Sequence, residues 1–201
     1  MVPTADNPGF RQPDNVNPNW KRETPVPVAA AAFDGRKEKY VAHGNHVTVS
    51  LPFAPMKDLH DRLQQRMGLT LVSRGESHVT VLTPPEYDAI KALVPIKEIH
   101  ALAKKRKLQS AKIQAVCLGQ GQAQIGAEVE GAFFVVVKSN ELLEFRREIR
   151  DLFLSRGGDK LGFVSDIYRP HVTIGFTKQD LHEADGVLKD ERSCLYPLAV
   201  K

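Results

Sequence analysis

The chain has 201 residues, 42% hydrophobic and 26% charged, with a formal net charge of +4. That is room for one domain with a substantial core, or for two small lobes, in an ordinary globular composition. No apolar run approaches the roughly 20 residues of a membrane helix, and the mild positive charge lacks the dense basic patches of a broad nucleic-acid platform. The N-terminus shows no basic-then-apolar leader, so a cytoplasmic protein is expected, although a chain from which a signal was removed would read the same way. Cys117 and Cys194 match no metal spacing. Two free, half-buried thiols are expected; a disulfide is the alternative and would imply an oxidising compartment.

Residues 1–40 carry Pro3, Pro8, Pro13, Pro18, Pro25 and Pro27 among Asn, Asp and Gly. Such a segment holds neither a helix nor a central strand, and reads as an extended or disordered arm that Trp20 and Phe10 are able to anchor. A domain is expected over 41–201. It opens with a strand at His46–Leu51, alternating and β-branched, that Pro52 and Pro55 end. Met56, Leu59, Leu63 and Met67 then predict a helix closed by Gly68. Ser77–Leu82 is a second strand. Thr83, Pro84 and Glu86 form a capping box that starts a helix through Tyr87, Ile90 and Leu93, and a short helix follows over Ile96–Ala103. Ala111–Cys117 and Gln122–Glu128 read as two short strands around a Gly-Gln-Gly turn. Ala132–Val137 is the most apolar strand and the expected centre of a sheet. Ser139 or Asn140 caps a helix carrying Leu142, Phe145, Ile149 and Leu152, which Gly157-Gly158 ends. Arg169–Phe176 is the next strand. A short helix near Leu181 and Val187 and a closing strand around Tyr196–Val200 complete the chain.

Strand, helix, loop and a His-Val-Thr strand occur twice, over about 46–82 and 132–176. This is a duplicated supersecondary unit rather than a solenoid repeat. It predicts a two-lobed α+β molecule, lobe one about 41–110 and lobe two about 111–201, with the two His-Val-Thr strands facing each other across a cleft.

Side chains alternate along a strand, so a histidine and the threonine two positions on point the same way. Two such strands supply two acid/base groups and two hydroxyls. A phosphodiester uses that set: one imidazole deprotonates the attacking water or hydroxyl, the other protonates the leaving oxygen, and the hydroxyls hold the non-bridging oxygens. No metal or other cofactor is required, and no carboxylate cluster of metal-ligand type lies near either strand. Seven histidines at this Ser and Thr content should give roughly 0.6 His-x-Ser/Thr by chance. Three occur, at 46, 78 and 171. His78 and His171 occupy corresponding places in the two units, each after a helix and a loop. His46 opens the first strand instead, so it is read as non-catalytic, near the cleft at most.

His78-Val79-Thr80 and Pro170-His171-Val172-Thr173 with Ile174-Gly175-Phe176 resemble the paired motifs of the 2H phosphoesterase superfamily, over residues 42–200. Among its branches the chain is similar to the Swiss-army-knife group linked to RNA repair. It departs from the bacterial cyclic-phosphodiesterase branch, where an aromatic-Leu-Gly stands in place of Leu82-Thr83-Pro84. The resemblance implies a concave cleft of antiparallel sheets with helices outside, and metal-independent cleavage of 2′,3′-cyclic phosphates on nucleotides or RNA 3′-ends. It also implies His78 and His171 as acid and base, with Thr80 and Thr173 on the phosphate. His171 is the expected base for hydrolysis. The partner expected is the nucleotide or RNA-end substrate, with no membrane and a monomeric state.

Tyr168 and Arg169 precede the second motif and are candidates to stack on a base and contact phosphate. Packing and solvation are their plainer readings, as for Phe176, Tyr87 and Lys104–Lys107. His43, His60, His100 and His182 show no paired pattern. Three alternatives remain: a 3′-to-5′ RNA exonuclease using the same four residues, a nucleotide or RNA-end binding module without turnover, and a protein-interaction domain with the histidine strands in its core.

Overall fold

The computed structural model describes residues 16–201; Pro3, Pro8, Phe10 and Pro13 fall outside the described residues. In chain order the strands and α-helices are β1 (Val26–Val28), β2 (Val47–Ser50), α1 (Phe53–Met67), β3 (His78–Leu82), α2 (Pro84–Ile90), α3 (Ile96–Lys105), β4 (Gln114–Ile125), β5 (Glu128–Lys138), α4 (Asn140–Ser155), β6 (His171–Phe176) and β7 (Cys194–Val200). The order β1-β7-β4-β5-β6 makes one sheet, antiparallel except for β1 on β7, and β2 with β3 makes a second. The architecture is therefore mixed α+β. No helix among the described residues is long and apolar enough to cross a membrane.

Alternation along the strands separates the chemistry from the core. In β5, Phe133, Val135 and Val137 enter the main core with Leu59 and Leu63 of α1 and Leu142, Phe145 and Ile149 of α4. Ala132, Phe134 and Val136 point the other way, into a smaller cluster with Leu181 and Val187. Val79 and Val81 of β3, and Val172 and Ile174 of β6, also enter the main core. The histidine and threonine of each motif therefore lie on the opposite face from these valines. The two halves are joined beside that face, where Val72 pairs with Phe176 at the free edge of β6 and β3 lies alongside β6.

The units β2-α1-β3 and β5-α4-β6 share one order, an antiparallel pair joined by a helix. They are unequal, since the first pair stands alone while the second belongs to the five-stranded sheet. The described part of the arm is laid along that sheet. Pro27, which has no N–H to give, sits in β1 at the sheet edge, where a missing donor is tolerated. Trp20 packs against the smaller apolar cluster.

Local signals explain several boundaries. Thr83 and Glu86 make the expected reciprocal capping box of α2, Gly68 closes α1 at φ 64°, and Ser139 caps α4. Helix α2 stops at Ile90, short of Leu93. Two expectations are corrected. Gly119-Gln120-Gly121 is not a turn but the middle of the continuous strand β4, and the hairpin turn falls at Gly126-Ala127. A Cβ on Gly119 would lie 2.6 Å from the Phe134 ring, and one on Gly121 would lie 2.2 Å from Val187, so both glycines answer close packing rather than a bend. The cysteines are not free thiols: Cys117 on β4 is bonded to Cys194 at the start of β7. The β4–β7 register sets Gly119 opposite Cys194 and brings together residues 77 apart in the chain. Disulfides of this kind persist in oxidising surroundings and are rare in reducing ones.

Candidate active site

Both motifs begin their strands, His78 at the start of β3 and His171 at the start of β6. The His78 imidazole is half-buried, with Nδ1 3.5 Å from Glu76 Oε1. Burial pushes its pKa below the ordinary histidine value, against the pull of Glu76. The Thr80 hydroxyl has no hydrogen-bond partner among the described residues, while its backbone carbonyl accepts from the Tyr168 hydroxyl at 3.0 Å.

His171 is held more tightly. Its Nδ1 lies 2.8 Å from the Arg169 carbonyl. A carbonyl only accepts, so the proton sits on Nδ1 and Nε2 keeps a lone pair. Its ring meets Phe134 edge to face at 5.9 Å. Burial, aided by the charge of Lys189, pushes its pKa down to about 3, and the bond to Arg169 only partly opposes this. The Thr173 hydroxyl donates to Asp180 Oδ2 at 3.2 Å.

Asp180 is the hub of a group that sequence reasoning missed. Its other carboxylate oxygen receives Lys189 Nζ at 2.8 Å, and Lys189 is only 3% exposed. Arg74 reaches Oδ2 at 2.9 Å from the loop before β3, 106 residues away in sequence. Burial alone would raise the Asp180 carboxyl, but Lys189 and Arg74 outweigh it and hold it below its ordinary range. Asp180 thus links the second motif, through Thr173, to the loop before the first, through Arg74, and its charge is felt by both His78 and His171. Within it Arg74 is the exposed cation, with 40% of its side chain open.

The two candidates for substrate contact, Tyr168 and Arg169, both have internal partners. Tyr168 bonds the Thr80 carbonyl, and its ring packs on the Arg146 guanidinium at 4.6 Å. Arg169 pairs with Glu183 at 2.7 Å and Asp190 at 3.2 Å. Arg146 is a second residue that sequence reasoning missed. Fully buried on α4, it donates to the carbonyls of Val81 and Ser165, and by two nitrogens to the Glu86 carboxylate. It thereby ties β3 and the cap of α2 to the loop that delivers the second motif. A signal for it was present, because Leu142, Arg146, Ile149 and Phe153 recur at the spacing of one helix face.

The third His-Val-Thr copy lies beside the first. Thr48 stands directly opposite Thr80 in the β2–β3 register, but it is buried and bonded to His43 Nε2 at 3.2 Å. A cavity of about 240 Å³ opens between β1 and the start of α1, lined by Pro27, Val28, Asp58 and Arg62 among others, and no motif residue borders it.

Comparison with curated proteins and with solved structures gives no match. Comparison with protein families gives one, the Swiss Army Knife 2H phosphoesterase domain, over residues 42–182. That span contains both paired motifs, Arg74, Arg146 and Asp180. With 2H phosphoesterases acting as hydrolases of phosphoester bonds, the chain belongs to the Swiss Army Knife 2H phosphoesterase family.

Proposed function

We propose that the protein hydrolyses a 2′,3′-cyclic phosphate on a nucleotide or RNA 3′-end, with His171 as general base and His78 as general acid. The observation that carries this reading is the Nδ1–H bond of His171 to the Arg169 carbonyl, which leaves Nε2 unprotonated. His171 Nε2 takes a proton from water as the water oxygen attacks phosphorus. The bond from phosphorus to one ribose oxygen breaks, and His78 protonates that oxygen. Of the two rings His78 is the less buried, and Glu76 beside it partly offsets the lowering by burial, which suits it better than His171 to the acid role. A bound phosphodiester anion beside both rings raises their proton affinity. Thr80 supplies a free hydroxyl to a non-bridging oxygen, and Arg74 supplies the exposed positive charge. Thr173, whose proton is engaged by Asp180, orients more than it donates.

The test is turnover of 2′,3′-cyclic nucleotides, with product identification and chelator present. The parent should cleave them equally well with chelator. His78→Ala and His171→Ala should each lose about 10²–10⁴ in rate. Activity surviving both changes would reject the two-histidine reading. Shortening of linear RNA from its 3′-end with cyclic termini would assign the same residues to an exonuclease instead.

A further inference from the structure

The third motif has surroundings that a phosphate site does not explain. His43 and His46 lie with ring centroids 4.0 Å apart and planes inclined by 18°. The pair is fixed from below. His43 Nε2 meets the buried Thr48 hydroxyl, and the His43 carbonyl accepts from His100 Nε2 at 2.6 Å. The other nitrogen of His100 is bonded to the Tyr40 hydroxyl at 2.6 Å. His46 is partly exposed, with Nδ1 on Asn45 Oδ1. One face of its ring is covered by His43, so the part of the ring left open lies away from His43.

The pair also has a defined place in the cleft. Ser50 stands opposite His78 and Thr48 opposite Thr80; the register then shifts, Val47 stands opposite Leu82, and His46 lies just before the start of β2, beyond the Thr80 end of the pair. The His46 ring is near enough to His78 to feel its charge.

We propose that the stacked His43–His46 pair is a nucleobase subsite, in which the open face of His46 receives the base of the nucleotide whose phosphate lies on His78 and Thr80. This deepens the proposed function and rests on it. It assigns the third His-Val-Thr copy to binding rather than proton transfer, with Thr48 as the post that holds His43. Stacking on an aromatic ring is tolerant of base identity, so the subsite distinguishes a nucleoside phosphate from a sugar phosphate rather than one base from another. Burial and the neighbouring histidines push the His46 pKa down, which favours a neutral ring.

The test compares two probes, adenosine 2′-monophosphate and ribose 5-phosphate, by calorimetry and by the ring-proton resonances of the histidines. The nucleotide should shift His43 and His46, and the sugar phosphate should shift neither. His46→Ala should weaken the nucleotide about tenfold and the sugar phosphate less than about twofold, the size of effect that loss of one base-stacking contact has. His46→Phe should restore the nucleotide. Nucleotide affinity unchanged in His46→Ala but lost in His78→Ala would overturn the subsite and leave the active-site reading standing. Equal losses for both probes in His46→Ala would also overturn it, as a structural effect. Failure of the parent to bind either probe would overturn both readings.

Discussion

The two motifs are one tripeptide in two settings. On β3, the ion-pair partner of His78 is Glu76, whose side chain is 62% exposed, and the Thr80 hydroxyl has no hydrogen-bond partner among the described residues. On β6, His171 is fixed by the Arg169 carbonyl, and Thr173 is bonded to Asp180, itself locked by a buried lysine and an arginine from the other half. The first pair adjusts to a ligand, while the second is preorganised. In the proposed mechanism, surroundings rather than motif sequence divide the acid from the base, as environment generally separates paired titratable groups.

Removing the hub of the rigid side should have the largest effect. Asp180→Ala leaves Lys189 buried without its counter-charge and should destabilise the protein by about 3–5 kcal/mol. Glu76→Gln, the matching change on the open side, should leave the denaturation midpoint where it was. Equal effects would dissolve the contrast. Arg146 joins the two settings. Arg146→Lys keeps the charge but not the two-nitrogen grip on Glu86 or the stack on Tyr168, and should cost about 3 kcal/mol by urea denaturation. Stability at the parental level would show that the loop before β6 is held by other contacts.

Smaller effects discriminate the hydroxyls. Thr80→Val should lower kcat/KM for a cyclic nucleotide by about 30-fold, and Thr173→Val by less than about tenfold, because only Thr80 has a proton free for phosphate. The reverse order would move the phosphate to the second strand. The last contrast is in stability against pH. The His171 pKa is lower folded than unfolded, so the unfolded chain takes up the extra proton. That contribution is present above pH 6.5 and is lost as pH falls from there toward 3. Denaturation midpoints between pH 7 and 4 should therefore fall more steeply in the parent than in His171→Asn. Parallel slopes would remove burial of His171 as a cause.

Features set by near neighbours were legible in the sequence. Thr83 caps the helix containing Glu86 three residues on, Gly68 closes α1, and the valines between the motif residues mark the core face. What needed the folded chain was partnership at long range. Asp180 and Lys189 look like ordinary loop charges until the turn after β6 buries them together, and Arg74 meets them only across the two halves. Nothing near Tyr168 in the chain points to its partner, the Thr80 carbonyl, which lies 88 positions away. Gly119 and Gly121 read as a turn because glycine signals equally a bend and a close approach, and only Phe134 and Val187 decide between them.

The Cys117–Cys194 bond also makes part of the chain a covalent ring. His171, Thr173, Asp180 and Lys189 all lie inside it, whereas His78, Thr80 and Arg74 lie on the tail that leaves it. Leu161, in the loop before β6, is 86% exposed and lies within the ring. A single cut there opens the ring without releasing a fragment, so the nicked protein should run as one species until it is reduced, and as two afterwards.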